Sequence, residues 1–239
     1  MNKKFEFTGE TKAILGNTLH RIRALISFGE VGAGELGGWI EKEENLDASG
    51  NAWVYGNAQV YGNAQVSGNA QVYGNACVYG DAWVSGNAWV YGDAWVYGDA
   101  RVFDNARVFD NAWVDGDACV YGDACVYGNA WVYGIARLSG NAWVCGNARV
   151  YGDARVYKCG AIFWISNVGS RDDTATFFAC RDKKIKVIVG CFFGDLDEFA
   201  AAVQKTHGDN THAKVYRLAI EMAKERIKMD DMPEESNDG

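Results

Sequence analysis

The sequence predicts a mainly β fold: a coil of short parallel strands with a small β cap before it and an α+β unit after it. Two observations carry this. Val recurs every six residues from Val54 to Val156, with Leu138 as its only substitute, which makes eighteen hexads. Ala stands two residues before each of these positions, from Ala52 to Ala154, without exception. The repeating unit is G-[ND]-A-x-V-[YS].

The hexad justifies the strand. In A-x-V-Y, small, variable, branched and aromatic residues alternate, so Ala and Val share one face and x and Tyr the other. The G-[ND] pair tolerates positive φ and turns the chain. A four-residue strand with a corner every six residues is no helix, and its strands are too short for a meander of hairpins. A coil whose turns stack on one another remains. Residues 48–168 resemble the hexapeptide-repeat, trimeric LpxA-like family, in which an aliphatic residue is followed four later by a small one, as in Val54 and Ala58. Tyr after the aliphatic residue departs from the Gly or polar residue common there. The resemblance implies a left-handed parallel β-helix with three hexads per triangular turn. Eighteen hexads then make about six turns, a rod of roughly 29 Å at ~4.8 Å per rung.

A turn of eighteen residues sorts the outward positions into three faces. The first carries Trp53, Gln71, Trp89, Arg107, Cys125 and Trp143 beside Tyr55, Tyr73, Tyr91, Phe109 and Tyr127. The second carries Gln59, Cys77, Trp95, Trp113, Trp131 and Arg149 beside Tyr61, Tyr79, Tyr97, Tyr133 and Tyr151. The third carries Gln65, Trp83, Arg101, Cys119, Arg137 and Arg155, with Ser67, Ser85 and Ser139 among its neighbours and Asp81, Asp99, Asp117 and Asp153 at its corner. Two faces are therefore aromatic ladders. Rings one rung apart stiffen a rod; exposed in this density they also make a contact surface. Trp95, Trp113 and Trp131 are the leading binding candidates. The repeat breaks at RVFDNARVFDNAWVDGDA, where Asp104 and Asp110 replace Gly and Asp115 replaces Tyr, near Arg101 and Arg107. This segment is either a salt-bridged surface or a polar binding spot.

Open strand edges at both ends of a coil need caps. Residues 1–47 supply one, with strands at KFEF and HRIRALISF and with Trp39 and Ile40 over the end of the core. Arg21 and Arg23 there either meet an anion or belong to one cap strand. Residues 169–228 form the α+β unit. AIFWIS, TATFFAC and KIKVIVGCFF read as strands, the last two a hairpin about Arg181–Lys183. Asp195 and Glu198 have capping-box spacing ahead of a helix ending at Gly208. A second helix runs from about Thr211 to Lys228, with Tyr216, Leu218, Ala219, Met222, Ala223 and Ile227 at helical spacing. Residues 229–239 are acidic and compositionally disordered.

Composition narrows the function. The net charge is −8, so nothing in bulk attracts phosphates and direct nucleic-acid binding is not expected. Seven Cys without CxxC spacing read as reduced thiols, and with no leader pattern at MNKKFEF the expected setting is cytoplasmic. No apolar run is long enough for a membrane span. Relatives of this coil include acyltransferases, which use a His base, and carbonic anhydrases, which bind zinc through three His. Residues 48–168 hold no His; the chain has only His20, His207 and His212. Without a base on the coil, acyl transfer fails, and the expectation is no enzyme, no metal and no cofactor. Cys180 and Cys191 fall in expected strands and read as buried thiols.

HRIRAL, GELGGWIE, GSRDDT, GCFFGDLDEF and THGDNTH together resemble a family of bacteriophage and prophage hexapeptide-repeat proteins. That resemblance implies a phage origin and a bacterial host cytoplasm. Ser170, Arg171, Asp173, His207, Asn210 and His212 are a second, polar candidate site, against the alternative of ordinary turn and cap chemistry. The functional expectation is a non-catalytic binding or structural protein, a homo-oligomer or a partner of a host macromolecule. The alternatives are an anti-defence protein sequestering a small nucleotide signal and a degenerate acyltransferase-like or carbonic-anhydrase-like enzyme.

Overall fold

A computed structural model describes residues 3–229. Eighteen two-residue strands, β4 (Trp53–Val54) to β21 (Arg155–Val156), follow one another at one per hexad. They sort into three parallel sheets in which each strand pairs with those three hexads before and after it, as Trp95 does with Cys77 and Trp113. The eighteen-residue turn holds throughout. Every Ala and Val of the repeat is fully buried, and the core is a continuous stack of these side chains. Gly at the corners adopts positive φ; at Gly98 (φ +68°) an added Cβ would lie 2.9 Å from the backbone nitrogen of Gly116 on the next rung. The corner side chains form hydrogen-bonded ladders. Asn51, Asn69, Asn87, Asn105 and Asp123 are linked by amide-to-oxygen bonds of 3.0–3.1 Å. An Asp accepts but cannot donate, so it ends a ladder.

The N-terminal segment adds most of a further turn, giving about seven where eighteen hexads alone predict six. β3 (Leu36–Ile40) pairs parallel with Gln59–Val60, and Leu46 bridges Val66, which places Ile40 and Leu46 in the core below Val60 and Val66. Gly37 and Gly38 allow this approach, since a Cβ on either would lie within 2.7 Å of the first turn. The expected KFEF strand runs much further, as β1 (Phe5–Ile14), and pairs antiparallel with β2 (Asn17–Ala24), which in turn pairs with β3. Trp39 does not plug the core; it faces outward under the Lys12 ammonium at 4.5 Å and Arg21 at 5.3 Å. Arg23 reaches Glu6 at 3.7 Å.

The coil is polar along its axis, and its caps match that polarity. Each x and Tyr N–H donates to an Ala or Val carbonyl of the following rung, as in Trp53 N to Ala70 O and Tyr55 N to Val72 O. The first rung is left with acceptors and the last with donors, which burial makes costly unless paired. At the start, Lys4 donates from its buried ammonium to Ala52 O at 2.8 Å, and Asn45 donates from its amide to Ala64 O at 2.8 Å. At the end, Thr176 Oγ1 accepts from Arg149 N at 3.0 Å.

That Thr belongs to a four-stranded antiparallel sheet in the order β22 (Ile162–Val168), β23 (Asp173–Ala179), β24 (Ile185–Val189), β25 (Phe192–Asp195). Residues 162–168, expected to finish the coil, open this sheet instead, because they pair with β23. KIKVIVGCFF divides into β24 and β25 around a two-residue turn at Gly190–Cys191. Cys191 is therefore exposed rather than buried, whereas Cys180 is buried as expected. β23 alternates: Thr176 meets the coil, and Phe177 meets Phe163 and Phe199 on the helix side. Helix α1 (Leu196–His207) starts at the Asp195–Glu198 capping box, and α2 (Thr211–Arg226) at Asn210. α2 buries Ala213, Tyr216, Ala219, Ile220 and Ala223; Leu218 and Met222, expected on that face, are 66% and 52% exposed. The acidic tail from residue 230 lies outside the described residues.

Candidate functional site

Two places gather the sequence-predicted residues. On the second face, Trp95, Trp113 and Trp131 stack one per rung, with ring centroids 5.3 and 4.8 Å apart. Parallel pairing allows nothing else: identical positions on adjacent strands sit ~4.8 Å apart. The column begins over buried Cys77 and ends where Arg149 lies over the Trp131 ring at 5.5 Å. Trp131 is 37% exposed. Beside it Tyr61, Tyr79 and Tyr97 stack at 5.0 and 4.9 Å, and Tyr133 and Tyr151 at 4.5 Å. Edge-to-face contacts tie the two columns, Tyr97 to Trp113 and Trp131 to Tyr133. Burial pushes the Tyr61 phenol up to about 12, and burial with the hydrogen bond to Asp115 raises Tyr97 further. Both phenols are held in the neutral form.

The first face is a weaker ladder than its composition suggests. Tyr73, Tyr91, Phe109 and Tyr127 stack at 4.8–4.9 Å. Trp53, however, is fully buried, edge-on to Phe5 at 6.3 Å and Phe28 at 5.4 Å beneath the N-terminal cap. Trp89 lies under Arg107 at 5.3 Å. Arg101 and Arg107 thus sit on different faces, in sheets that do not pair, and form no joint site. Neither makes an ion pair with Asp104 or Asp110 among the described residues. Those two Asp hold the positive φ of the Gly they replace, 58° each. Their carboxylates accept from Gly122 N at 3.1 Å and Gly128 N at 3.3 Å one rung on. They cap backbone, so the salt-bridged surface is not formed.

The second place is a cavity of about 390 Å³ in the C-terminal unit. Ser170, Arg171, Asp173 and His207 line it, joined by Cys191, Phe192, Phe199 and Tyr216. The β22–β23 turn presents Ser170 and Arg171, the start of β23 presents Asp173, and the end of α1 presents His207. Gly169 (φ +77°) is required there, since a Cβ on it would collide with the Tyr216 hydroxyl. Burial and the nearby Asp173 charge push that hydroxyl's pKa up. His207 lies 5.7 Å from His212 and 5.8 Å from Tyr216 between ring centroids. His212 does not line the cavity, and Asn210 is spent on the α2 N-terminus, accepting from Ala213 N at 3.0 Å. Arg217 donates to Gly208 O and Asp209, which holds the helix junction. Among the described residues no three His, Cys, Asp or Glu are grouped to hold a metal; His20 is stacked on Phe7 in the cap. The sequence reading missed the apolar half of this cavity, Phe192, Phe199 and Tyr216. The capping box and helical spacing placed the last two on helices without saying which sheet they would meet.

Eighteen hexads closed into three parallel sheets define the chain as a repeat β-helix protein. The model of a family described as YdcK Beta solenoid repeat matches residues 58–71, 70–86, 82–98, 100–116 and 142–158, all inside the coil. No curated protein matches the chain. Among the described residues no helix is long and apolar enough to cross a membrane.

Proposed function

We propose that this is a non-catalytic binding protein whose second face is its contact surface, and that the face docks first against another copy of the chain. One observation carries the reading: three indoles stack in register with a phenol column on a backbone that cannot rearrange them. Large rigid aromatics lose little entropy on docking and dominate contact energies. A host macromolecule is the other occupant of the same face. A phage origin and the cytoplasm of a bacterial host belong to this reading, supported by the resemblance of the terminal strings. Sedimentation or light scattering at two concentrations tests it. The expected result is an oligomer that Trp113→Gln converts to monomer with its circular dichroism unchanged. A wild-type chain that stays monomeric at both concentrations rejects self-association.

The C-terminal cavity supports a second reading, sequestration of a small nucleotide. Arg171 and Ser170 offer donors to a phosphate, and Phe192, Phe199 and Tyr216 offer rings to a base. Calorimetry with cyclic dinucleotides and ADP-ribose derivatives tests this. Absence of heat with all of them rejects it.

A further inference from the structure

The residue after each core Val or Leu is Tyr, Phe, Ser or Cys at seventeen of eighteen hexads; Asp115 is the exception and the one charged residue in the set. It interrupts the best-formed phenol column. Tyr97 lies one rung below and Tyr133 one rung above, so their rings are about 9.6 Å apart with a short carboxymethyl group between them. The rungs of the same column on either side show what that space holds when filled: one aromatic ring per rung. Trp113, whose strand ends one residue before Asp115, flanks the gap and meets Tyr97 edge-on at 6.3 Å. Asp115 Oδ2 accepts from the Tyr97 hydroxyl at 2.6 Å. Its other oxygen accepts no hydrogen bond, and the carboxylate makes no ion pair, among the described residues. The first-face column passes the corresponding rungs without a break, through Phe109 and Tyr127.

We infer that this vacant rung is a binding slot for a guanidinium group. Its walls are the faces of Tyr97 and Tyr133, and its anchor is the Asp115 carboxylate. A cation midway between the rings lies ~4.8 Å from each, inside the ~6 Å reach of cation–π attraction. A guanidinium is flat, as the missing ring would be, stacks on aromatic faces and is weakly hydrated. Its fork of N–H groups matches the free oxygen and the remaining lone pair on Oδ2. An alkylammonium is a strongly hydrated point charge and leaves much of the slot empty. The group belongs either to a free small molecule or to an arginine side chain of a peptide. The slot lies on the second face, in the phenol column beside the Trp113 and Trp131 rings, but the inference does not rest on self-association, and cation binding and oligomeric state are read separately below.

Calorimetry on the full chain at low salt tests it with agmatine, n-butylamine and a blocked Gly-Arg-Gly tripeptide. Agmatine is expected to saturate one site per chain, with n-butylamine at least tenfold weaker. Asp115→Asn is expected to weaken agmatine at least tenfold. Asp115→Tyr is expected to abolish binding while raising Tm, since the added ring completes the column and shows the fold intact. Tripeptide binding equal to agmatine admits a peptide source; agmatine alone restricts the ligand to a small cation. No agmatine binding at millimolar concentration, equal binding of n-butylamine, or undiminished binding to Asp115→Tyr overturns the inference. Light scattering on the Asp115→Tyr samples keeps the two readings distinguishable, because an unchanged oligomer with lost agmatine binding separates the slot from the docking face.

Discussion

The coil and the C-terminal unit bury their cores in opposite ways. In the coil every rung repeats the same Ala–Val pairs in register with the rungs before and after it, so the core is a stack of nearly identical local layers. In the C-terminal unit a few large side chains, among them Phe177, Phe199 and Tyr216, close one shared core between sheet and helices. A column of repeats fixes side-chain position by register alone, which suits an extended contact face. A shared core shapes a concavity, which suits a small ligand. Both candidate sites follow this division.

Phe177→Ala should break the comparison most visibly. It removes the ring between Phe163 and Phe199 and is expected to cost about 3–5 kcal/mol. Calorimetry should then show the C-terminal unit melting first, separately from the coil.

The junction between regular coil and irregular cap is tested by Lys4. Burial lowers its amine from 10.5 to about 8, against the upward pull of Asp47. The charged form is disfavoured in the fold, so below pH 8 the penalty is fully present. Between about 8 and 10.5 the unfolded chain holds the extra proton, and folding gains stability as pH rises. Relative to Lys4→Met, the wild type should gain about 1–3 kcal/mol between neutral and alkaline pH, read from paired thermal melts.

The smallest effect sharpens the picture of the coil itself. Asp81, Asp99 and Asp117 stand on successive rungs of one corner, and among the described residues only Asp81 of the three receives an amide, from Asn63 at 2.9 Å. Asp99→Asn should relieve two like-charge contacts and let the new amide donate to Asp117. A gain of roughly 0.5–1 kcal/mol is expected, shrinking at high salt in the same melts.

Much of the aromatic second face was legible because the repeat permits only one geometry. Once Val54 and its successors set a six-residue strand and an eighteen-residue turn, Trp95, Trp113 and Trp131 had to form a column. The same arithmetic failed at Trp53, which shares an outward position with Trp89 and is buried by Phe5 and Phe28 from a separate strand and loop. It also failed at Leu218 and Met222, whose helical spacing suits either side of α2.

What the sequence alone determined is the periodic part: strand length, corner chemistry, three faces and the order of rings on each. These follow from local alternation and from the stacking of near-identical units, and neither needs distant information. The tertiary structure alone decided the ends and the cavity. Lys4 and Asn45 supply donors where the first rung exposes carbonyls, and Thr176 supplies an acceptor where the last exposes an N–H. Those partners lie tens of residues away, and no period connects them. Their pairing is set by the direction of the backbone dipoles at each end of the coil, which exists only once the chain has closed on itself.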